Sequence, residues 1–301
     1  MGLGTLFARN SIMKLNHSLL VLGMLPFFKT QAIEVAPGDF EPLPAGANAL
    51  LLYYQHADRS DQYQNGHKVS DNAKLSSDIG ILRYVRAIGL SENLSWEPQF
   101  LVPFGQMNAS GDIGALGDTR GIGDPIISAP LKWTLPTANK DIFALAPYLY
   151  IPVGSYDKND ALNLGENRWR ATLQAAYIHH FSQKWALDTV AEASWVSANN
   201  DYGSTSVKLE EDTRYEYQSA VRYAWTPSTT FAVGAGYISG SATTVDGIDQ
   251  HNGVSTSYAR FTVTHFIEPT LQIQAQIGKD IEVEQGFKED ARLNLRLLKV
   301  F

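Results

Sequence analysis

Cysteine is absent from all 301 residues. This excludes a disulfide framework and a thiolate metal site, and it suits a chain that crosses an oxidising periplasm. Long apolar runs are also missing. Beyond the N-terminus nothing approaches the roughly 18 consecutive apolar residues of a membrane helix, which argues against a helical membrane protein. Nor is there any excess of basic charge. The N-terminus reads as a secretory signal peptide over 1–32: Lys14 precedes an apolar run from Leu19 to Phe28, and Thr30-Gln31-Ala32 offers small residues for cleavage. A membrane anchor is the rival reading, but that run is short and Pro26 interrupts it. Either Met1 or Met13 serves as the start. Cleavage removes Arg9, Lys14 and Lys29 and no acid, leaving 21 basic against 31 acidic side chains and a net charge of −10. Such a chain gives no case for nucleic acid as a partner.

What is present is alternation. In Ala291–Phe301, Leu293, Leu295 and Leu297 fall on one face, and Arg292, Asn294 and Arg296 fall on the other. The pattern recurs. Twelve strands are expected near 47–56, 75–90, 94–104, 125–134, 142–151, 168–181, 184–197, 214–225, 230–239, 255–266, 270–280 and 291–301. Short turns such as Ser182-Gln183 and Glu268-Pro269 alternate with long polar segments near 57–74, 105–124, 152–167, 198–213, 240–254 and 281–290. An even strand count with loops segregated by length predicts an all-β fold, a transmembrane antiparallel β-barrel of 12 strands. The expected layout is the signal peptide, a short periplasmic or plug segment over 33–46, and the barrel over 47–301. A soluble β-sandwich is the alternative, and it has no reason to sort its loops this way.

The faces support a polar lumen. Trp169, Ala171, Leu173, Ala175 and Tyr177 oppose Arg170, Thr172 and Gln174, and Leu271, Ile273, Ala275 and Ile277 oppose Gln272, Gln274 and Gln276. Arg83 and Arg86 fall on opposite faces, so one must snorkel or a bulge must reset the register. Two aromatic belts are expected: Phe181, Trp185, Trp225, Phe231 and Phe301 on the short-turn side, and Trp169, Trp195, Tyr215, Tyr217, Tyr237 and Tyr258 toward the long loops.

Several segments are similar to an outer-membrane, transporter-like family named for the meta-pathway of phenol degradation. They include Glu34–Phe40, Pro44–His56, Pro98–Gly105, Gly121–Pro125, Tyr150–Tyr156 and Asn163–Trp169, and the resemblance covers nearly all of the mature chain. It implies a barrel distantly similar to the fatty-acid channel FadL and associated with catabolism of aromatic or hydrophobic compounds. It brings no catalytic residues. Only about fourteen residues precede the first strand, too few for a large plug like that of the fatty-acid channels.

Other motifs are weaker. The Gly-rich run from Ser110 to Asp124 lacks the helix of a phosphate loop and reads as a mobile surface loop. Asp246, Asp249 and Asn252, or Glu210, Glu211 and Asp212, offer oxygen atoms to a cation but lack a calcium-loop spacing, so no metal is expected. His180 and Ser182 invite comparison with an outer-membrane lipid hydrolase, yet they fall beside a short periplasmic turn, the wrong end for lipopolysaccharide-leaflet chemistry. His180 reads instead as an interfacial histidine.

The expectation is therefore a channel, without enzyme activity or cofactor, for passive uptake of small hydrophobic or aromatic compounds. Its channel-lining candidates are Arg170, Gln174, Asp188, Glu192, Arg222, Arg260, Gln274, Arg292 and Arg296. Expected partners are outer-membrane lipid and lipopolysaccharide, the solute, and the barrel-assembly machinery through the last strand ending at Phe301. The rivals are a closed structural or adhesive barrel acting through its loops, and a lipid hydrolase. Gly234-Ala235-Gly236 is a candidate for a wall opening.

Overall fold

Alternation along the chain resolves into twelve barrel strands in the computed structural model, which describes residues 35–301. The expected signal peptide lies outside those residues. The strands are β1 (Asn48–Gln64), β2 (Ala73–Arg86), β3 (Gln99–Gly111), β4 (Ile126–Ser128 continued by Leu131–Thr134), β5 (Ile142–Tyr150) and β6 (Arg170–His180). They continue as β7 (Trp185–Val196), β8 (Arg214–Ala224), β9 (Thr229–Gly240), β10 (Val254–Glu268), β11 (Leu271–Val283) and β12 (Gly286–Val300). Neighbours pair antiparallel throughout, and β12 returns to β1 with Leu51 opposite Leu298 and Tyr53 opposite Arg296. The pairing of β12 with β1 joins the two ends of the sheet into a closed barrel, as a sheet in hydrocarbon requires.

The period of two sorts lipid from lumen. Leu295 and Leu297 are more than 40% exposed, whereas Arg292 and Arg296 are buried. The same holds along β6, where Trp169, Leu173 and Tyr177 face out and Arg170, Thr172 and Gln174 face in. Arg83 and Arg86 need no bulge, since the β1–β2 register runs unbroken past them. Arg83 turns inward to Gln99 Oε1 at 2.6 Å and the Tyr53 hydroxyl at 2.9 Å. Arg86 lies at the foot of β2 and snorkels to Gly46 O at 2.8 Å.

Three expectations about loops change. Strands β1, β11 and β12 extend into the segments expected as loops at 57–74 and 281–290, so β11 and β12 are joined by Glu284 and Gln285 alone. The Gly-rich run is part of the wall and not a surface loop: β3 continues to Gly111, and Asp118–Ile122 pairs back along it. Beyond that ribbon the wall continues through irregular backbone, with Ser155 N bonded to Ile122 O at 2.7 Å and Gly165 N to Ser155 O at 2.9 Å. A Cβ on Gly165 would stand 2.7 Å from the Gly154 carbonyl carbon, so this close approach of the 151–169 loop to itself requires glycine. Pro130, which has no N–H, interrupts β4, and the seam to β3 is maintained there by Glu97 N on Pro130 O at 2.8 Å. The Gly234–Gly236 stretch is no gap. It is paired with β8 on one side and β10 on the other.

The outer loops build a second, four-stranded sheet from Asn199–Tyr202, Val207–Glu211, Thr243–Val245 and Ile248–Asp249. Tyr258, expected in the outer aromatic belt, is instead buried in the lumen, and its hydroxyl donates to Glu216 Oε1 at 2.6 Å.

Candidate functional site

Inside the barrel the polar faces of the strands converge, and two levels can be distinguished. The periplasmic level is occupied by residues 35–47. Phe40 is buried among Leu51, Tyr53, Leu101 and Ile178. Each flanking polar group meets a wall residue. Gly38 N donates to Asp188 Oδ2 at 2.7 Å, and Arg296 is paired with Asp39. Glu41 accepts from Arg222 at 2.6 Å and lies 3.0 Å from His180 Nε2. Lys132 Nζ donates to the carbonyls of Asp39 at 3.0 Å and Glu41 at 3.1 Å, and forms an ion pair with Glu97 at 2.7 Å. Glu97 in turn accepts from Leu43 N at 2.9 Å.

The outer level is an internal cavity of ≈ 230 Å³ with two unlike walls. β2, β3 and β4 with the 151–169 loop supply apolar groups, chiefly Leu75, Ile79, Met107, Ile126 and Leu164. β8, β10, β11 and β12 supply Arg214, Glu216, Tyr258, Arg260, Asp280, Glu289 and Arg292. The guanidiniums are committed to carboxylates. Arg59 reaches Glu289 at 2.5 Å, Arg260 reaches it at 3.4 Å, and Arg292 also binds it. Arg214 bridges Glu192 at 2.9 Å and Glu216 at 2.5 Å. Arg170 binds Glu166 at 2.6 Å and stands 5.8 Å from the Tyr150 ring centroid.

All nine residues named from the sequence are inward and largely buried, but the structure divides them. Arg170, Arg260 and Arg292 line the outer cavity. Asp188, Arg222 and Arg296 grip residues 35–47. Gln174 and Glu192 bond each other between the levels at 2.7 Å, and Gln274 donates to Thr264 at 2.9 Å. Sequence reasoning missed Glu97, Lys132, Arg214, Glu216, Asp280 and Glu289. Lys132 was legible as the polar member between Leu131 and Trp133, whereas Asp280 and Glu289 fell in or beside a segment assigned to a loop.

The hydrolase pair is not assembled at the periplasmic turn. His180 turns inward to Glu41, and Ser182 Oγ accepts from Lys184 N and Trp185 N, both at 3.2 Å. On the outer half of the lipid face, His56 lies between Asp78 at 2.8 Å and Asp58 at 3.0 Å, so both ring nitrogens face carboxylates and neither meets a hydroxyl. The two acidic loop clusters disperse: Glu211 pairs with Arg168, Glu210 with Lys208, and Asn252 Oδ1 accepts from Thr243 N. In the periplasmic turn before β5, burial favours the neutral form of Asp141. Hydrogen bonds from His180 N, His179 and Tyr177 outweigh it and hold the carboxyl at about 2.

Comparison with known proteins then places the fold. A family model described as "Putative MetA-pathway of phenol degradation" matches residues 57–297. An outer membrane channel from Pseudomonas putida F1 is 47% identical, with a TM-score of 0.88, over 89% of this chain and 100% of that one. The β domain of the Bordetella autotransporter BrkA shares the barrel fold alone, at 10% identity and a TM-score of 0.54 over 86% of this chain and 100% of its own. No curated protein sequence matches.

Proposed function

We propose, for a chain that belongs to this phenol-degradation family and resides in the bacterial outer membrane, that it mediates passive uptake of small hydrophobic or aromatic compounds. The carrying observation is the cavity of ≈ 230 Å³ inside the closed wall, apolar on the side of β2 to β4 and polar on the side of β8 to β12. Twelve strands lie between eight-stranded barrels, whose interiors side chains fill, and sixteen-stranded porins with open channels, so a cavity above a plugged level suits a partly occluded path. Entry is from the outer loops, and the apolar wall is the first surface that excludes water from the solute. The nine inward residues line the path. Residues 35–47 plug its periplasmic half, and their displacement from Arg222, Arg296 and Lys132 opens it. No step of this passage requires chemistry, and we assign no catalytic role.

The competing reading, a closed barrel acting through its loops, draws on the ion pairs that hold the plug. Planar-bilayer recording of the mature protein separates the two. Small conductance steps that phenol, benzoate or a long-chain fatty acid reduces selectively support a binding site in the path. A barrel that stays silent, with no response to any of the three, favours the closed reading.

A further inference from the structure

The polar wall of the outer cavity is unevenly satisfied. Its arginines are engaged, three of them by Glu289 and a fourth by Glu192 and Glu216. Asp280 differs. Its side chain lines the cavity and the residue is 6% exposed, yet no lysine or arginine is paired with it among the described residues. Its one hydrogen bond comes from the backbone: Glu289 N donates to Oδ2 at 2.9 Å. This bond has a structural origin. The β11–β12 ladder stops at Gly278 opposite Arg292, the two strands part above that point, and the Asp280 carboxylate takes an amide that the ladder leaves open. No described side chain donates to Oδ1. Within the cavity, then, Asp280 is a carboxylate that accepts from a backbone amide alone, while each of the five lining arginines is bound to another carboxylate.

Such a site discriminates by the end group of the solute. A phenol or alcohol carries one O–H donor, and a phenol with a pKa near that of tyrosine, about 10, keeps its proton at neutral pH. An ammonium brings donors and charge. A carboxylate only accepts, so beside Asp280 it meets like charge and cannot donate to the free oxygen. The apolar body common to all three packs on Leu75, Ile79, Met107 and Leu164.

We propose that Asp280 sets head-group selectivity in the outer cavity, favouring apolar or aromatic solutes that end in a hydroxyl or ammonium over those that end in a carboxylate. The inference rests on the uptake reading and narrows its substrate class.

Titration calorimetry of the purified, detergent-solubilised protein, with empty micelles as the blank, tests it with 4-butylphenol, 4-butylbenzoate and butylbenzene. The three share one body and differ only in the end group. Expected is about a tenfold preference for the phenol over the benzoate, the scale of one hydrogen bond to a charged group. Asp280→Asn keeps an acceptor for Glu289 N and removes the charge, so the preference falls to about threefold or less. Asp280→Leu removes it altogether, with folding checked by heat-modifiable gel migration. Equal binding of phenol and benzoate by the unaltered protein, or an undiminished preference in folded Asp280→Asn, overturns the inference while butylbenzene binding leaves the uptake reading intact. Failure of all three solutes to bind overturns both.

Discussion

Glu97 and Lys132 show how single residues hold this barrel. Their side chains are almost wholly buried and meet at 2.7 Å, and both also bind the backbone of residues 35–47. Removing one partner leaves an uncompensated charge, at a cost of about 3–5 kcal/mol, whereas replacing both with apolar groups of like volume is far milder. Glu97→Gln should therefore lower the temperature of the heat-modifiable gel shift well below that of the double variant Glu97→Met/Lys132→Met. Equal shifts would show that the pair contributes little. At the membrane's periplasmic side, Asp141 gives a pH-dependent counterpart. Its folded pKa of about 2 lies below the usual 3.8, so its stabilisation is complete above about 4 and is lost as pH falls through about 2. Acid unfolding followed from pH 4 to pH 2 should be steeper in the unaltered protein than in Asp141→Asn, and identical slopes would remove this group from the account.

Among the elements, alternation was the readable signal and interruption was the hidden one. All twelve strands overlap the positions period two gave them, because lipid and lumen impose opposite polarity on alternate residues. The expected strands at 75–90 and 94–104 nevertheless break, leaving Ile88–Ser91 and Leu94–Trp96 as a separate hairpin. Leu295→Arg, on the lipid face of β12, should cost about 2–4 kcal/mol in urea unfolding from lipid vesicles. A cost near zero would mean that this face does not meet hydrocarbon. The tops of β1, β11 and β12 were misread as loops, since there the outward face carries polar residues such as Lys288 and Asp290 and the buried face carries Asp280 and Glu289, so apolar alternation fades. The Asp118–Ile122 ribbon was hidden for another reason: glycines at 111, 117 and 121 mimic a flexible loop. Tyr258 shows the limit of an aromatic count, because a tyrosine suits a belt and a lumen alike until its register is known.

At the scale of the molecule, the nine inward residues were legible as a set but not in their division between plug and cavity. That division depends on cross-barrel partners far away in sequence, such as Asp39 with Arg296 and Glu41 with Arg222, which no local pattern encodes. Family membership and the outer-membrane barrel agree with the resemblance carried by segments such as Tyr150–Tyr156. The central claim is passage through this lumen, and the most direct test is the initial rate of uptake of a radiolabelled alkylbenzene at low external concentration. The comparison is between cells with the gene, cells without it, and cells whose copy carries Arg222→Ala and Arg296→Ala to loosen the plug. Uptake that falls severalfold on deletion, and recovers to or above the original rate with the loosened plug, is the predicted result. Equal rates in all three strains would contradict it.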